Sequence, residues 1–188
     1  MGTNKSIIEI DGIPMILRVM NSLKKAGCSK FILQIKNNTN KEHLKHLMSN
    51  FDVTWNYDES NENDLISAIN SGLMLAKKMG WKFAQLAPVD TPYVSSRLFE
   101  ILSKKIYGDY DIIIPKSKDS GDGLEPLLSY VKIKPLLDKF SHLAPGKKVS
   151  LSDLYCQMKH KIIKIDELKE VGVSNRNFKN FNSLNDLQ

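Results

Sequence analysis

An α/β fold, with a mostly parallel central sheet covered by helices on both faces, is what this sequence predicts. Two features carry the prediction. Short apolar runs alternate with amphipathic stretches along the chain, the pattern of strand–helix–strand succession. Turn and cap residues stand at the junctions, among them Asp11-Gly12, Gly27, Ser95-Ser96 and Pro115. Ile7-Ile8-Glu9-Ile10 is the first strand, turned by Asp11-Gly12, and Pro14 suits a first helical turn. Met15, Ile16, Val19, Met20 and Leu23 recur at helical spacing until Gly27, just past Lys24 and Lys25. Residues 31–35 form a buried strand, 42–48 a short helix with Leu44, Leu47 and Met48 inward, and 53–57 another strand. Leu65, Ile66, Ile69, Leu73 and Ala76 mark a longer helix capped by Asn63 or Asp64. Residues 83–87 are a strand running into Pro88-Val89-Asp90-Thr91-Pro92. Ser95 or Ser96 caps the helix of Leu98, Ile101 and Leu102. Strands follow at 111–114, 127–131 and 162–165, helices at 136–140 and 150–158, and a short helix after Ser183. Residues 116–123 are polar and Gly-containing, a mobile loop by composition. No internal repeat is present, and residues 1–188 read as one domain.

Composition excludes several classes. No apolar run approaches the roughly 20 residues of a membrane span, and no secretory signal pattern opens the chain. Cys28 and Cys156, far apart, make neither a disulfide framework nor a zinc site, so a reducing, cytoplasmic setting is expected. The 27 Lys+Arg exceed the 21 Asp+Glu by 6. That balance points to anionic ligands. The basic residues are scattered and no nucleic-acid recognition motif accompanies them, so nucleic acid is not an expected partner.

In such sheets ligands sit beyond the carboxyl ends of the strands. The residues there are Gln34 with Lys36 and Asn37, then Asp58, Asp90 and Lys116. Two carboxylates with two cations suit a phosphate ligand held with a divalent metal. Asp90 can hold a hard cation such as Mg²⁺, which binds oxygen ligands and substrate phosphates; the alternative is a turn or helix-capping Asp before a proline. Lys5, beside a Gly-containing stretch, can neutralise phosphate, or be a solvated terminal Lys. Asn180 and Asn182 alternate with Phe181, so both amides share one face of a strand. They could complete a metal shell, or be polar residues on a solvent-facing strand or a helix cap. His43 and His46 belong to a lysine-rich, solvated face, and Trp55 and Trp81 to core or edge packing. Nothing resembles a Ser-His-Asp or Cys-His arrangement, so covalent catalysis is not indicated.

Four segments, in order, carry a resemblance. Met1-Gly2-Thr3-Asn4-Lys5-Ser6, followed by the strand, Gly turn and Pro-led helix, resembles the end of the nucleotidyltransferase signature Leu-Ala-Gly-Gly-x-Ser-x-Arg-Met-Gly-x-x-Lys. Leu86-Ala87-Pro88-Val89-Asp90-Thr91-Pro92 is similar to that family's metal-binding strand end. Leu124-Glu125-Pro126-Leu127 is similar to its Pro-Leu strand, and Asn180-Phe181-Asn182-Ser183-Leu184-Asn185-Asp186-Leu187 to its C-terminal Asn-x-Asn-Thr-Pro-Glu-Asp-Leu. The chain thus resembles the molybdenum cofactor guanylyltransferases, the MobA-like branch.

That resemblance implies a Rossmann-like nucleotidyltransferase fold of the glycosyltransferase-A type. It implies Mg²⁺-dependent transfer of GMP from GTP to the terminal phosphate of molybdopterin, with release of pyrophosphate. It implies that Gly2 and Lys5 contact the nucleotide phosphates, and that Gln34 and Asp58 contact the nucleotide. Asp90 would ligate Mg²⁺, while Asn180 and Asn182 would lie beside the pterin phosphate and metal. Partners would be the nucleotide, a phosphorylated pterin and other molybdenum-cofactor biosynthesis proteins.

Two departures shape the expectations. The chain opens at the Met-Gly of the signature, without the preceding strand, Gly-Gly loop and Arg, which reads as N-terminal truncation or a start assigned at an internal methionine. The family's Gly-Pro-Leu-x-Gly appears as Asn63-Asp64-Leu65-Ile66-Ser67, without glycines. Alternative acceptors are cobinamide phosphate and a sugar phosphate, and loss of the Gly-rich loop also admits a non-catalytic nucleotide-binding module.

Overall fold

The computed structural model describes residues 7–36, 41–58, 65–106, 108–118, 123–143 and 149–181. The elements in chain order are β1 (Glu9–Ile10), β2 (Ile13–Pro14), α1 (Met15–Lys25), β3 (Lys30–Lys36), α2 (Lys41–Leu47), β4 (Asp52–Asp58), α3 (Leu65–Lys78) and β5 (Phe83–Gln85). There follow α4 (Ser96–Lys105), β6 (Ile112–Pro115), β7 (Tyr130–Lys132), α5 (Ile133–Ser141), α6 (Leu151–Cys156), β8 (His160–Ile163) and α7 (Ile165–Glu170). The α/β class is the expected one. β3 runs parallel to β4 from Lys30↔Asp52 to Lys36↔Asp58, and β6 runs parallel to β8. β7 lies between β5 and β6, antiparallel to both.

Burial alternates across β6. Ile113 packs into one layer, with α1, α2, α4 and α7; Ile112 and Ile114 pack into the other, with α3, α5 and α6. β3 follows the same rule, with Phe31, Leu33 and Ile35 on the first face and Ile32 on the second. Side chains alternate across a strand, so a strand apolar at successive positions demands helices on both faces.

The local outcomes differ from expectation in several places. The first strand shrinks to Glu9–Ile10 because the chain reverses at Asp11 (φ 51°) and Gly12 (φ 72°) and pairs back on itself. Positive φ at both central residues is the requirement of a two-residue hairpin turn. Pro14 is then the partner of Glu9, and stands as the N-cap of α1 rather than within its first turn. Of residues 127–131, expected as strand, Leu127 and Leu128 belong to a 3-10 turn opened by Pro126, which supplies no N–H to a ladder, and the strand begins only at Tyr130. The apolar run near 162–165 divides: β8 ends at Ile163, and Ile165 opens α7, where the Lys164 N–H donates to Glu167 Oε1 at 3.3 Å. Ser95 does cap α4, accepting from Leu98 N at 3.4 Å. The caps Asn63 and Asp64 and the helix after Ser183 lie outside the described residues. Of residues 116–123, the described ends are pinned: Ser117 N donates to Gly123 O at 2.8 Å, and Lys116 bridges Leu124.

Candidate functional site

Asp90 lies five residues beyond β5, in a turn built by its neighbours. The Thr91 hydroxyl, fully buried, donates to Pro88 O at 3.0 Å, and Val94 N donates to Thr91 O at 3.1 Å. These bonds spend the Thr91 polar groups on the turn, and Asp90 is half-buried. Its carboxylate makes no hydrogen bond or ion pair among the described residues. The strand beneath is pinned from the Glu-Pro-Leu segment: Leu86 N donates to Ser129 O at 3.0 Å, and Gln85 Nε2 donates to Leu128 O at 2.9 Å.

The C-terminal segment comes to this turn. Phe181 N donates to Asp90 O at 2.8 Å. Phe181 is buried in a small cluster with Ile10 and Met15, against Ile8, Val89 and Tyr93. Asn177, buried, accepts from Ser95 N at 2.8 Å, which ties the same segment to the start of α4. Chain segments from the start, middle and end of the sequence thus meet within one cluster. Asn180, exposed and adjacent to Phe181, lies beside the Asp90 turn. The exposed–buried alternation expected of Asn180-Phe181 holds, without a ladder: a 3-10 turn, Asn175–Phe178, precedes it and residues 180–181 belong to no strand. Asn182, Gly2 and Lys5 lie outside the described residues.

Gln34 occupies a second part of the site. Its Oε1 accepts from Asn56 Nδ2 at 2.7 Å, and the same Nδ2 reaches Ser71 Oγ at 2.9 Å. Asn56 thereby fixes which way the Gln34 amide points, leaving its Nε2 buried with no partner among the described residues. A buried donor in that condition costs about 1–3 kcal/mol, so it is poised for an acceptor. Gln34 and Val89, next to Asp90, border one cavity of about 660 Å³. Asp58 closes β4 in register with Lys36, at the outer strand of its pair. The structure therefore brings the Asn180-Phe181 segment to the Asp90 backbone, sets Gln34 on the cavity that Val89 also borders, and places Asp58 at the end of β4.

Sequence reasoning missed four residues around the site. Asn56 orients Gln34, and its signal was a lone amide within the aromatic strand Trp55-Asn56-Tyr57. Tyr93 packs edge-on to Phe181, with centroids 5.4 Å apart. The Arg176 guanidinium sits 4.0 Å from the Tyr93 ring centroid and Arg18 sits 5.8 Å from it. Arg18 is anchored by Asp11 Oδ2 at 2.7 Å, while Arg176 is exposed. No local pattern marks either arginine, because the ring that gathers them is distant in sequence from both. Two cations therefore gather on Tyr93, three residues past Asp90.

Residues 1–157 match the family described as MobA-like NTP transferase domain. A probable molybdenum cofactor guanylyltransferase of Methanosarcina mazei is 21% identical over 187 residues, spanning 98% of this chain and 80% of that protein. The crystal structure of molybdopterin-guanine dinucleotide biosynthesis protein A from Archaeoglobus fulgidus superposes with a TM-score of 0.68 at 19% identity, covering 99% of this chain and 88% of its own. The 4-diphosphocytidyl-2C-methyl-D-erythritol synthase of Anaerococcus prevotii superposes with a TM-score of 0.73 at 12% identity, covering 96% and 85%. The fold is therefore shared across nucleotidyltransferases of different substrates.

Proposed function

Because the chain belongs to the MobA-like NTP transferase domain family and is a nucleotidyltransferase, we propose that it transfers GMP from GTP to the terminal phosphate of molybdopterin, releasing pyrophosphate. The observation that carries the proposal is the half-buried Asp90, five residues beyond β5, with the Asn180-Phe181 segment hydrogen-bonded to its backbone carbonyl. The curated relative and the A. fulgidus structure favour the pterin acceptor by their names.

Mg²⁺ fits the donor set. It is bound through one or two carboxylates with substrate phosphates and water completing the shell. Asp90 provides one such carboxylate, and the described residues gather no cluster of three or more His, Cys, Asp or Glu that would suit a protein-only cage. When bound, the ion would supply positive charge at the α-phosphate and the departing pyrophosphate. Asp90 would hold it, with Asn180 and Asn182 beside it and beside the pterin phosphate. Gly2 and Lys5 would meet the nucleotide phosphates, where a fixed cation offsets charge that builds in the transition state. Gln34 would offer its unpaired Nε2–H to an acceptor on the nucleotide, and Asp58 would contact the same nucleotide. Nucleotidyl transfer needs positioning and neutralisation more than a covalent intermediate. This division of labour needs no nucleophilic side chain. A cytoplasmic setting, with other molybdenum-cofactor biosynthesis proteins as partners, belongs to the same proposal. No helix among the described residues is long and apolar enough to cross a membrane.

Pyrophosphate release tests the proposal, with GTP or CTP as donor and molybdopterin, cobinamide phosphate or a sugar phosphate as acceptor. GTP with molybdopterin is the expected pair; turnover with a sugar phosphate alone overturns it. Asp90→Asn should lower kcat by about 100-fold or more with the circular dichroism unchanged, as loss of one charge-stabilising group does elsewhere. Normal turnover by that variant removes Asp90 from the mechanism.

A further inference from the structure

Three cations converge on the ring pair Tyr93–Phe181. The Arg176 guanidinium lies 4.0 Å from the Tyr93 centroid, Arg18 lies 5.8 Å from the same centroid, and the Lys179 ammonium lies 5.0 Å from that of Phe181. Both rings are tied to Asp90: Tyr93 follows it by three residues, and Phe181 N donates to its carbonyl. Asp11 offsets the charge of Arg18 at 2.7 Å, whereas Arg176 and Lys179 have no ion pair among the described residues. Like charges gathered without counter-charge repel one another, and an arriving anion turns that cost into attraction.

Arg176 is the member of this cluster best arranged for recognition. Its backbone is fixed within the 3-10 turn Asn175–Phe178: the adjacent Asn177 is buried and accepts from Ser95 N at 2.8 Å, and Lys179 N donates to the Arg176 carbonyl at 3.2 Å. Its exposed side chain is placed by a ring rather than by a carboxylate. A contact with a ring face engages the charge and spares the N–H donors, so the planar fork stays available for two phosphate oxygens. Asp90 has no ion pair among the described residues either, so the carboxylate and the guanidinium do not neutralise each other. Each is left for a ligand of its own. We propose that Arg176, with Arg18 and Lys179 around it, binds the phosphate monoester of the acceptor, an inference that rests on the GMP-transfer reading. Its position favours the acceptor over the nucleotide. Arg176 stands four residues before Asn180, on the segment that reading gives to the acceptor, whereas Gln34, which it gives to the nucleotide, belongs to β3.

Inorganic phosphate is the first probe, followed by the Nε–H resonance of Arg176 in protein carrying isotope-labelled arginine. Arg18, Arg97 and Arg176 are the only arginines of the chain, which makes the signals assignable. Phosphate should displace the Arg176 resonance saturably, and Arg176→Ala should weaken phosphate affinity about tenfold, as loss of a hydrogen bond to a charged group does. Arg176→Lys should recover part of that loss. Lys104→Ala, which removes one charge near the far end of α4, should leave affinity unchanged. In turnover with GTP, Arg176→Ala should raise KM for molybdopterin about tenfold and KM for GTP by about twofold or less. An unmoved Arg176 resonance overturns the proposal, and it does so in the unsubstituted protein, whatever the variants do. An equal loss in Lys104→Ala overturns it too, by reducing the effect to net charge. A rise in KM for GTP alone overturns it by assigning the cluster to the nucleotide. Phosphate binding at Arg176 with no acceptor turned over supports the phosphate site and overturns the GMP-transfer reading instead.

Discussion

The two halves of the sheet are held together in different ways. In β5-β7-β6-β8 the inner strands β7 and β6 are paired on both sides, and Ile112, Ile113, Ile114 and Val131 are fully buried. The pair β3-β4 is bonded to no other strand among the described residues, and its Ile32 and Leu33 are half-buried at the 660 Å³ cavity. The site straddles this divide: Asp90 extends from the closed half, while Gln34 and Asp58 belong to the open one. The closed half therefore fixes the position of Asp90, the proposed metal ligand, and the nucleotide contacts proposed for the other half would depend on how firmly β3 is held.

The largest contrast should come from core truncation. Ile113→Ala should cost about 2–5 kcal/mol in denaturant unfolding, since a fully buried Ile leaves a cavity. Leu33→Ala, half-buried at the cavity, should cost about 1 kcal/mol. Equal costs would erase the distinction between the halves. Native-state exchange should sharpen it: β6 amides open only with global unfolding, and β3 amides at lower free energy. Exchange of β3 at the global limit would show the pair to be as well held as the rest.

Smaller effects report on single groups in the closed half. The Tyr155 hydroxyl is buried without a partner among the described residues. Tyr155→Phe should therefore raise stability by up to about 1 kcal/mol, the desolvation penalty removed with the oxygen. Burial also pushes its pKa up from the ordinary value near 10. The unfolded chain then releases this proton first, so stability is intact below about pH 10 and declines above it. Thermal melts across pH 9–11 should show that decline, flattened in Tyr155→Phe; identical slopes would remove Tyr155 as its source. Smallest of all, burial pushes the Cys28 thiol up, while Cys156 is exposed. A maleimide at neutral pH should label Cys156 before Cys28, because the thiolate is the reactive form.

Much of this was legible in the residues. Apolar runs flanked by Gly, Pro and Ser located β3, β4, α1, α3 and α4, since burial of one face imposes its period on the sequence. Asp90 could be singled out as a candidate because a carboxylate following an apolar strand stands where open α/β sheets place ligands. The 3-10 turn at 126–128 and the short α7 were not, because brief apolar runs suit strand and helix alike.

The sequence alone determined the two-layer wrapping of the sheet, through apolar residues at successive strand positions, and the chemistry available at the strand ends. Only the tertiary structure decided that Phe181 N would find Asp90 O, that Asn56 would turn the Gln34 amide, and that Arg18 and Arg176 would share one tyrosine. Those are contacts between residues far apart in the chain. Local propensity carries no information about them; they are set by which surfaces meet when the layers close.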